Sequence, residues 1–299
     1  MPKVRKNKRK VPITASKQAG VGKPAGGPSG SSKPAATRTV IRRFHVLNKR
    51  QTQLQNLLEG DGPQLSAQAR GAREELEAIE QEIADMGGLE AYQKMSVIGQ
   101  GTDRGGGSEK VLLEFLQELG YPKHLEESKQ RWSVLEVGAL KPDNYASCSS
   151  WMDVTPIDLH SRHPSIQEQD FLKLDEEVHR EKWDIISLSL VVNFVPEAKD
   201  RGRMLRMAHD MLRPNQYLFL ALPLPCVMNS RYVTPEHLQG LMQTLSYTEV
   251  KSRWKAGGKM AYWLYQKGQP DAKASHDLTP YMKKTVLRQG NRNNFSILI

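Results

Sequence analysis

Apolar residues recur at helical spacing in the first third of the chain. Leu65, Ala69, Ala72, Leu76, Ile79, Ile83 and Met86 follow at intervals of 4, 3, 4, 3, 4 and 3, one stripe of an amphipathic helix. Gly87-Gly88 provides its stop. Leu54, Leu57 and Leu58 predict a helix before it, broken at Gly60-Asp61-Gly62-Pro63. The stripe covers only three heptads, with alanine at two positions, which favours a hairpin packed on a larger body over a free coiled coil. Glycine then crowds residues 99–108 (GQGTDRGGGS). By glycine content alone this reads as a linker, and otherwise as a loop whose backbone approaches a ligand.

From about residue 110 the pattern alternates between strands and helices. Val111–Leu119 is apolar at helical spacing, and Ser133–Gly138 is a short apolar run ending in glycine. Trp151–Leu159 is a second strand candidate, and a third short element leads into Gln169-Asp170-Phe171. The runs Asp184–Phe194 and Gln216–Val227 are predominantly apolar, as strands buried on both faces require. Helices are predicted at about 200–212 and 235–245, and two last strands at 247–254 and 260–266. The link 255–259 is too short for a crossover helix, so these two strands form an antiparallel hairpin. The fold class is therefore α/β: a mostly parallel seven-stranded sheet ending in an antiparallel hairpin, with an N-terminal helical extension. That is the layout of a Rossmann-like class I methyltransferase. The expected divisions are a disordered basic arm (1–43), a helical region with the glycine-rich loop (44–109), the α/β domain (110–268) and a loosely held polar tail (269–299).

Charge sharpens the picture of the arm. The net charge is +10, yet residues 1–50 hold fourteen Lys or Arg and no acid, leaving 29 basic against 33 acidic residues in the rest. Residues 12–39 are rich in Gly, Pro, Ser, Ala and Thr and cannot bury enough surface to offset their ordering entropy. Six of the eight residues from Lys3 to Lys10 are basic, which suits nuclear import and phosphate attraction. No run approaches the roughly eighteen apolar residues of a membrane span. The first residues do not resemble a secretory signal. Two cysteines, Cys148 and Cys226, are too few for a disulfide framework and suit a reducing compartment.

In an open α/β sheet, ligands bind beyond the carboxyl ends of the strands. Glu136 and Gly138 close the first strand: the glycine lets backbone approach a ligand, and the carboxylate can accept from a cationic amine. Asp158 ends the second strand, where a carboxylate can take both hydroxyls of a ribose. Asp170 is placed to hold an adenine amino group, and the segment from Ser187 to Asn193-Phe194 faces the reacting group. The first strand lacks G-x-G-x-x-G, which disfavours a dinucleotide but not S-adenosylmethionine, which has no phosphate. His160 and His163 are not joined by a cysteine or carboxylate cluster and read as loop residues, Asp175 reads as a helix start, and Cys226 as buried, so no metal site is expected.

The strings TPIDLHSRHPSIQEQDFL (155–172), WDIISLSLVVNFVP (183–196), RGRML (201–205), LPLPCVMNSRY (222–232) and RWKAGGKMAYWLYQK (253–267) strongly resemble the fungal 25S ribosomal RNA adenine-N1 methyltransferase family. GGLEAYQKMSVIGQGTDRGGGSEKVL (87–112) resembles its upstream signature, which moves the glycine-rich segment from linker to functional region. The resemblance implies S-adenosylmethionine at Gly138 and Asp158, with Asp170 at the adenine. It implies methyl transfer to large-subunit ribosomal RNA or a pre-ribosomal particle. The basic arm suits the nucleus and nucleolus, the reaction requires no metal, and nothing in the sequence points to an obligate oligomer, so a monomer is expected. Adenine N1 carries an in-plane lone pair and no proton at neutral pH, so orientation does most of the work and the base must be unpaired or flipped. Phe194 or Tyr232 would stack on that base, Ser189 or Asn193 would contact its edge, and Arg104 and Arg231 would hold phosphates. Animal relatives are S-adenosylmethionine sensors, so a non-catalytic sensor with a protein partner is the alternative; the basic arm favours the enzyme.

Overall fold

Runs of Leu, Ile and Val without polar alternation form the centre of a seven-stranded sheet. The structure is a computed structural model that describes residues 34–60, 67–99, 107–123, 125, 130–161, 163–268 and 277–299. The arm before residue 34, the break at 61–63 and most of the glycine-rich loop with Arg104 lie outside the described residues. In chain order the described elements are α1 (Pro34–Gly60), α2 (Ala67–Asp85), α3 (Gly88–Gly99), α4 (Glu109–Glu118), β1 (Trp132–Val137), β2 (Met152–Asp158) and β3 (Gln167–Glu168). There follow α5 (Glu176–His179), β4 (Trp183–Ser189), α6 (Ala198–Met211), β5 (Leu212–Pro223), α7 (Leu224–Met228), α8 (Pro235–Thr244), β6 (Tyr247–Trp254) and β7 (Met260–Lys267).

The sheet order is β3-β2-β1-β4-β5-β7-β6. The first five strands of that order pair in parallel, and β7 pairs antiparallel with both β5 and β6, as the short link 255–259 required. Alternate residues divide two hydrophobic layers. Val134, Ile185 and Phe219 join Leu112, Phe115 and Leu116 of α4 on one face. Leu135, Ile186 and Leu220 join Leu205 of α6 and Leu241 of α8 on the other. Each such side chain contributes about 1.5–3 kcal/mol by leaving water.

Helices α1 and α2 form the expected hairpin. Arg43 pairs with Glu82 and Arg50 with Glu75, so the helices run antiparallel, over a core of Leu47, Leu54, Ala72 and Ile79. The exposed ion pairs add about 0–1 kcal/mol each, so the apolar stripe holds the hairpin.

Three expectations need correction. The fourth strand was expected to run to Phe194 but ends at Ser189. Leu190 takes φ +59, which leaves the extended path, and Phe194 N donates to Val191 O at 2.8 Å in the turn that follows. The fifth strand ends at Pro223 rather than Val227, because α7 starts there with proline in its first turn. The third concerns the chain ends. Helix α1 begins at Pro34, inside the segment read as arm. The far tail is anchored: Phe295 and Ile297 are buried, and Leu298 N donates to Ala198 O at 2.9 Å. Gly202 permits this, since a Cβ there would overlap the Leu298 carbonyl.

Candidate active site

Strands β2, β1 and β4 are parallel neighbours, so their carboxyl ends gather on one edge. Glu136 of β1 lies in register with Ser187 of β4, and both are buried. Glu136 Oε1 accepts from Asn144 Nδ2 at 2.6 Å, while Oε2 is buried without a partner. Burial pushes the Glu136 carboxyl up to about 7, opposed by the Asn144 hydrogen bond and aided by the negative charge of Glu109 at the start of α4. An unpartnered buried carboxylate oxygen is costly, and a ligand cation would relieve it. Gly138 follows with φ +76, and a Cβ there would stand 2.8 Å from Val191 Cγ2. Its missing side chain keeps open the space between β1 and the turn after β4.

Asp158 ends β2. Its Oδ1 accepts from His160 N at 3.0 Å and from Gln93 Nε2 at 3.4 Å, and burial raises its pKa. Gln93 also donates to His160 O at 2.8 Å, so α3 lies across the end of β2. Between them is a cavity of about 280 Å³, walled by Gln93, Val97 and Ile98 of α3 and by Ala139, Asp158 and Ile166. One carboxylate in a mostly apolar cavity suits a flat heterocycle carrying a hydroxylated sugar.

The part of the site expected to face the substrate is built differently. The Ser189 hydroxyl bonds to that of Ser108, just before α4. Asn193 Oδ1 is buried and unpartnered. The Phe194 ring does not lie free: it stands 5.0 Å from Tyr92 of α3, 4.6 Å from His45 and 6.2 Å from Phe44 of α1. Burial alone lowers the His45 pKa to about 4, so this cluster is neutral at pH 7.

The structure thus brings Glu136, Gly138, Asp158, Ser187, Ser189, Asn193 and Phe194 to one end of the sheet. Asp170 caps the turn Phe171–Lys173 through Leu172 N at 2.9 Å, the structural role that competes with adenine binding. Arg231 and Tyr232 sit on a separate loop, where Arg231 donates to Asn294 Oδ1 at 2.7 Å. His163 Nδ1 accepts from Ser165 N and Asp175 caps α5, in line with their sequence readings; Cys226, read as buried, is only half-buried, and that burial pushes its thiol up to about 12. Sequence reasoning missed Phe44, Tyr92, Gln93 and Glu109. The last three lie in the upstream signature, which was the available signal.

The S-adenosylmethionine expected from sequence joins a nucleoside to an ammonium and a sulfonium, and the residues present fit it. The unpartnered Glu136 oxygen and nearby Glu109 suit the cations, and the Asp158 cavity suits the nucleoside.

Several known proteins are similar to this chain. A solved methyltransferase from Burkholderia thailandensis, with 1,6-didemethyltoxoflavin and S-adenosylhomocysteine bound, covers 70% of this chain and 93% of its own at 17% identity and TM-score 0.43. The 25S rRNA adenine-N(1) methyltransferase of Schizosaccharomyces pombe is 31% identical over 267 residues, spanning 86% of this chain and 89% of its own. The 25S rRNA (adenine(2142)-N(1))-methyltransferase of Saccharomyces cerevisiae is 35% identical over 190 residues, spanning 63% of this chain and 54% of its own. The family model described as 25S rRNA (adenine(2142)-N(1))-methyltransferase, Bmt2, matches residues 77–297, from within α2 to the anchored tail, and the chain belongs to that family.

Proposed function

We propose that the protein is an S-adenosylmethionine-dependent enzyme that methylates N1 of an adenosine in large-subunit ribosomal RNA. One observation carries the reading: a buried, unpartnered carboxylate oxygen, an open glycine turn and a carboxylate lining a mostly apolar cavity meet at one sheet end, in a chain of this family.

When bound, S-adenosylmethionine supplies an electrophilic methyl on sulfur. Asp158 would accept from its ribose hydroxyls, Glu136 would face its ammonium with Glu109 nearby, Gly138 would leave room for its chain, and Asp170 would face its adenine. Ser187 backs Glu136 from the neighbouring strand. The buried Asn193 oxygen, lacking a partner, is suited to accept from the exocyclic amine of the target adenine. Ser189 would donate to the same base edge. N1 holds no proton at neutral pH, so these residues need only orient its lone pair and exclude water. The methylated ring is cationic, and the faces of Phe194 and Tyr92 favour such charge. Tyr232, Arg231 and Arg104 would contact flanking RNA. The substrate is ribosomal RNA or a pre-ribosomal particle, the working form a monomer, and the site of action the nucleus and nucleolus.

The test is transfer of labelled methyl to unmodified large-subunit ribosomal RNA, with nucleoside analysis of the product. Label in N1-methyladenosine is expected. Tight cofactor binding with no label in RNA or in immature particles would reverse the reading.

A further inference from the structure

The segment after Asp277 carries Lys283, Lys284, Arg288 and Arg292 and no acidic side chain. It is held in place by arginines. Arg288 Nε donates to Ser230 O at 3.0 Å and Nη1 to Met228 O at 2.9 Å, and Nη2 donates to the carbonyls of Val227 and Val233. Arg231 donates back to Asn294 Oδ1 at 2.7 Å and to Gly290 O at 3.3 Å, and Arg292 to Gln289 O at 2.9 Å. Buried Arg201 donates to Ser296 O at 2.6 Å, Val195 O at 2.8 Å and Pro196 O at 3.0 Å, with the Phe295 ring 4.7 Å from its Cζ.

Every one of these acceptors is a carbonyl or amide oxygen. Elsewhere Arg43, Arg50, Arg180, Arg213 and Arg253 each meet a carboxylate. Among the described residues, Arg201, Arg231, Arg288 and Arg292 have no carboxylate in ion-pair range. A carbonyl fixes a guanidinium without cancelling its charge. The result is a fixed row of positive charge that starts at the turn bearing Asn193 and Phe194, since Arg201 holds the next two carbonyls. Lys49 of α1 joins it: burial, then the charges of Arg201 and Lys284, hold its pKa below the ordinary value, against the pull of Glu197.

An aromatic surface adjoins the row. Val227 and Met228, whose carbonyls Arg288 holds, line a cavity of about 190 Å³ with Trp254 and Trp263. Trp254 is 45% exposed and Met228 38%. Glu236 and Glu249 also line it. These carboxylates repel phosphate but accept from base amino groups. Cations in a row beside an exposed indole are the arrangement that binds single-stranded nucleic acid.

We propose that the C-terminal segment is a strap that docks the RNA: Lys283, Lys284 and Arg292 hold backbone phosphates of the strand whose target adenosine enters at Asn193 and Phe194, and a neighbouring unpaired base stacks on Trp254. The proposal rests on the ribosomal RNA reading and adds where that RNA lies. The test uses the full chain with Lys283→Gln, Lys284→Gln and Arg292→Gln combined. A charge-keeping control carries Lys283→Arg, Lys284→Arg and Arg292→Lys. Affinity for an unmodified large-subunit rRNA fragment is measured across salt, alongside RNA KM, cofactor Kd and Tm. The neutral variant should show a salt slope shallower by about 2, from about 0.7 per lost contact, and KM raised about tenfold, with cofactor Kd unmoved and Tm shifted no more than in the charge-keeping control, whose Arg292→Lys also loses the bond to Gln289. The control should bind as wild type does, and Trp254→Ala should raise KM about tenfold with the slope unchanged. An unchanged slope and KM in the neutral variant would overturn the strap. RNA binding reads the strap without turnover, so a wild-type protein that transfers no methyl overturns the proposed reaction separately.

Discussion

The two halves of the proposed site are built in opposite ways. The cofactor half is made by the strands themselves: Glu136 and Asp158 lie on adjacent parallel strands of the same buried sheet, and Gly138 follows directly. The substrate half leans on parts far away in sequence. Phe194 is packed by Phe44, His45 and Tyr92 of the N-terminal helices, and the next two carbonyls are held by Arg201, which also binds Ser296 near the C-terminus. On the proposed reading, the sheet edge supplies the cofactor contacts, while the N-terminal helices and tail shape the opening to the substrate.

Phe44→Ala should have the largest effect. Removing a 6% exposed ring costs about 3–5 kcal/mol. If the halves differ as described, turnover should fall much more than cofactor affinity, read by single-turnover transfer and calorimetry. Asp158→Ala attacks the other half. Losing hydrogen bonds to a charged acceptor should weaken cofactor binding about a hundredfold. Gly138→Ala forces a side chain into φ +76 against Val191, and denaturant unfolding should show a loss of about 2 kcal/mol.

The pH dependence of Glu136 sharpens the comparison further. Its folded pKa, about 7, lies above the ordinary 4.5. The protonated folded state is favoured, so this group's contribution to stability is full below pH 4.5. It declines as pH rises and is gone above about 7. The proposed Glu136 contact to the cofactor needs the anion, so affinity should rise up to about tenfold per pH unit in that window and then level off. Glu136→Gln should flatten both profiles. The smallest effect is expected at the surface: Arg43→Ala, which breaks the exposed pair with Glu82, should change stability by less than about 1 kcal/mol in thermal unfolding.

The sheet was legible because burial on both faces leaves unbroken apolar runs, and Glu136, Gly138 and Asp158 followed from where those runs stop. The turn after β4 was not. Leu190 and Val191 extend the apolar run, and nothing in their composition announces that Leu190 adopts a left-handed conformation. Helix α3 escaped notice because Val97 and Ile98 line a cavity and Gln93 is buried by hydrogen bonding, so no simple apolar stripe marks it. The anchored tail looked loose because its 283–292 stretch is held by guanidinium–carbonyl bonds rather than by a hydrophobic period.

Cofactor affinity and methyl-transfer rate on ribosomal RNA, measured together for Asp158→Ala and Asn193→Ala, test the two-part site most directly. Asp158→Ala should lose affinity, and Asn193→Ala should keep affinity and lose transfer to adenine N1. Loss of the same quantity in both variants, or transfer undiminished in Asn193→Ala, would contradict the division.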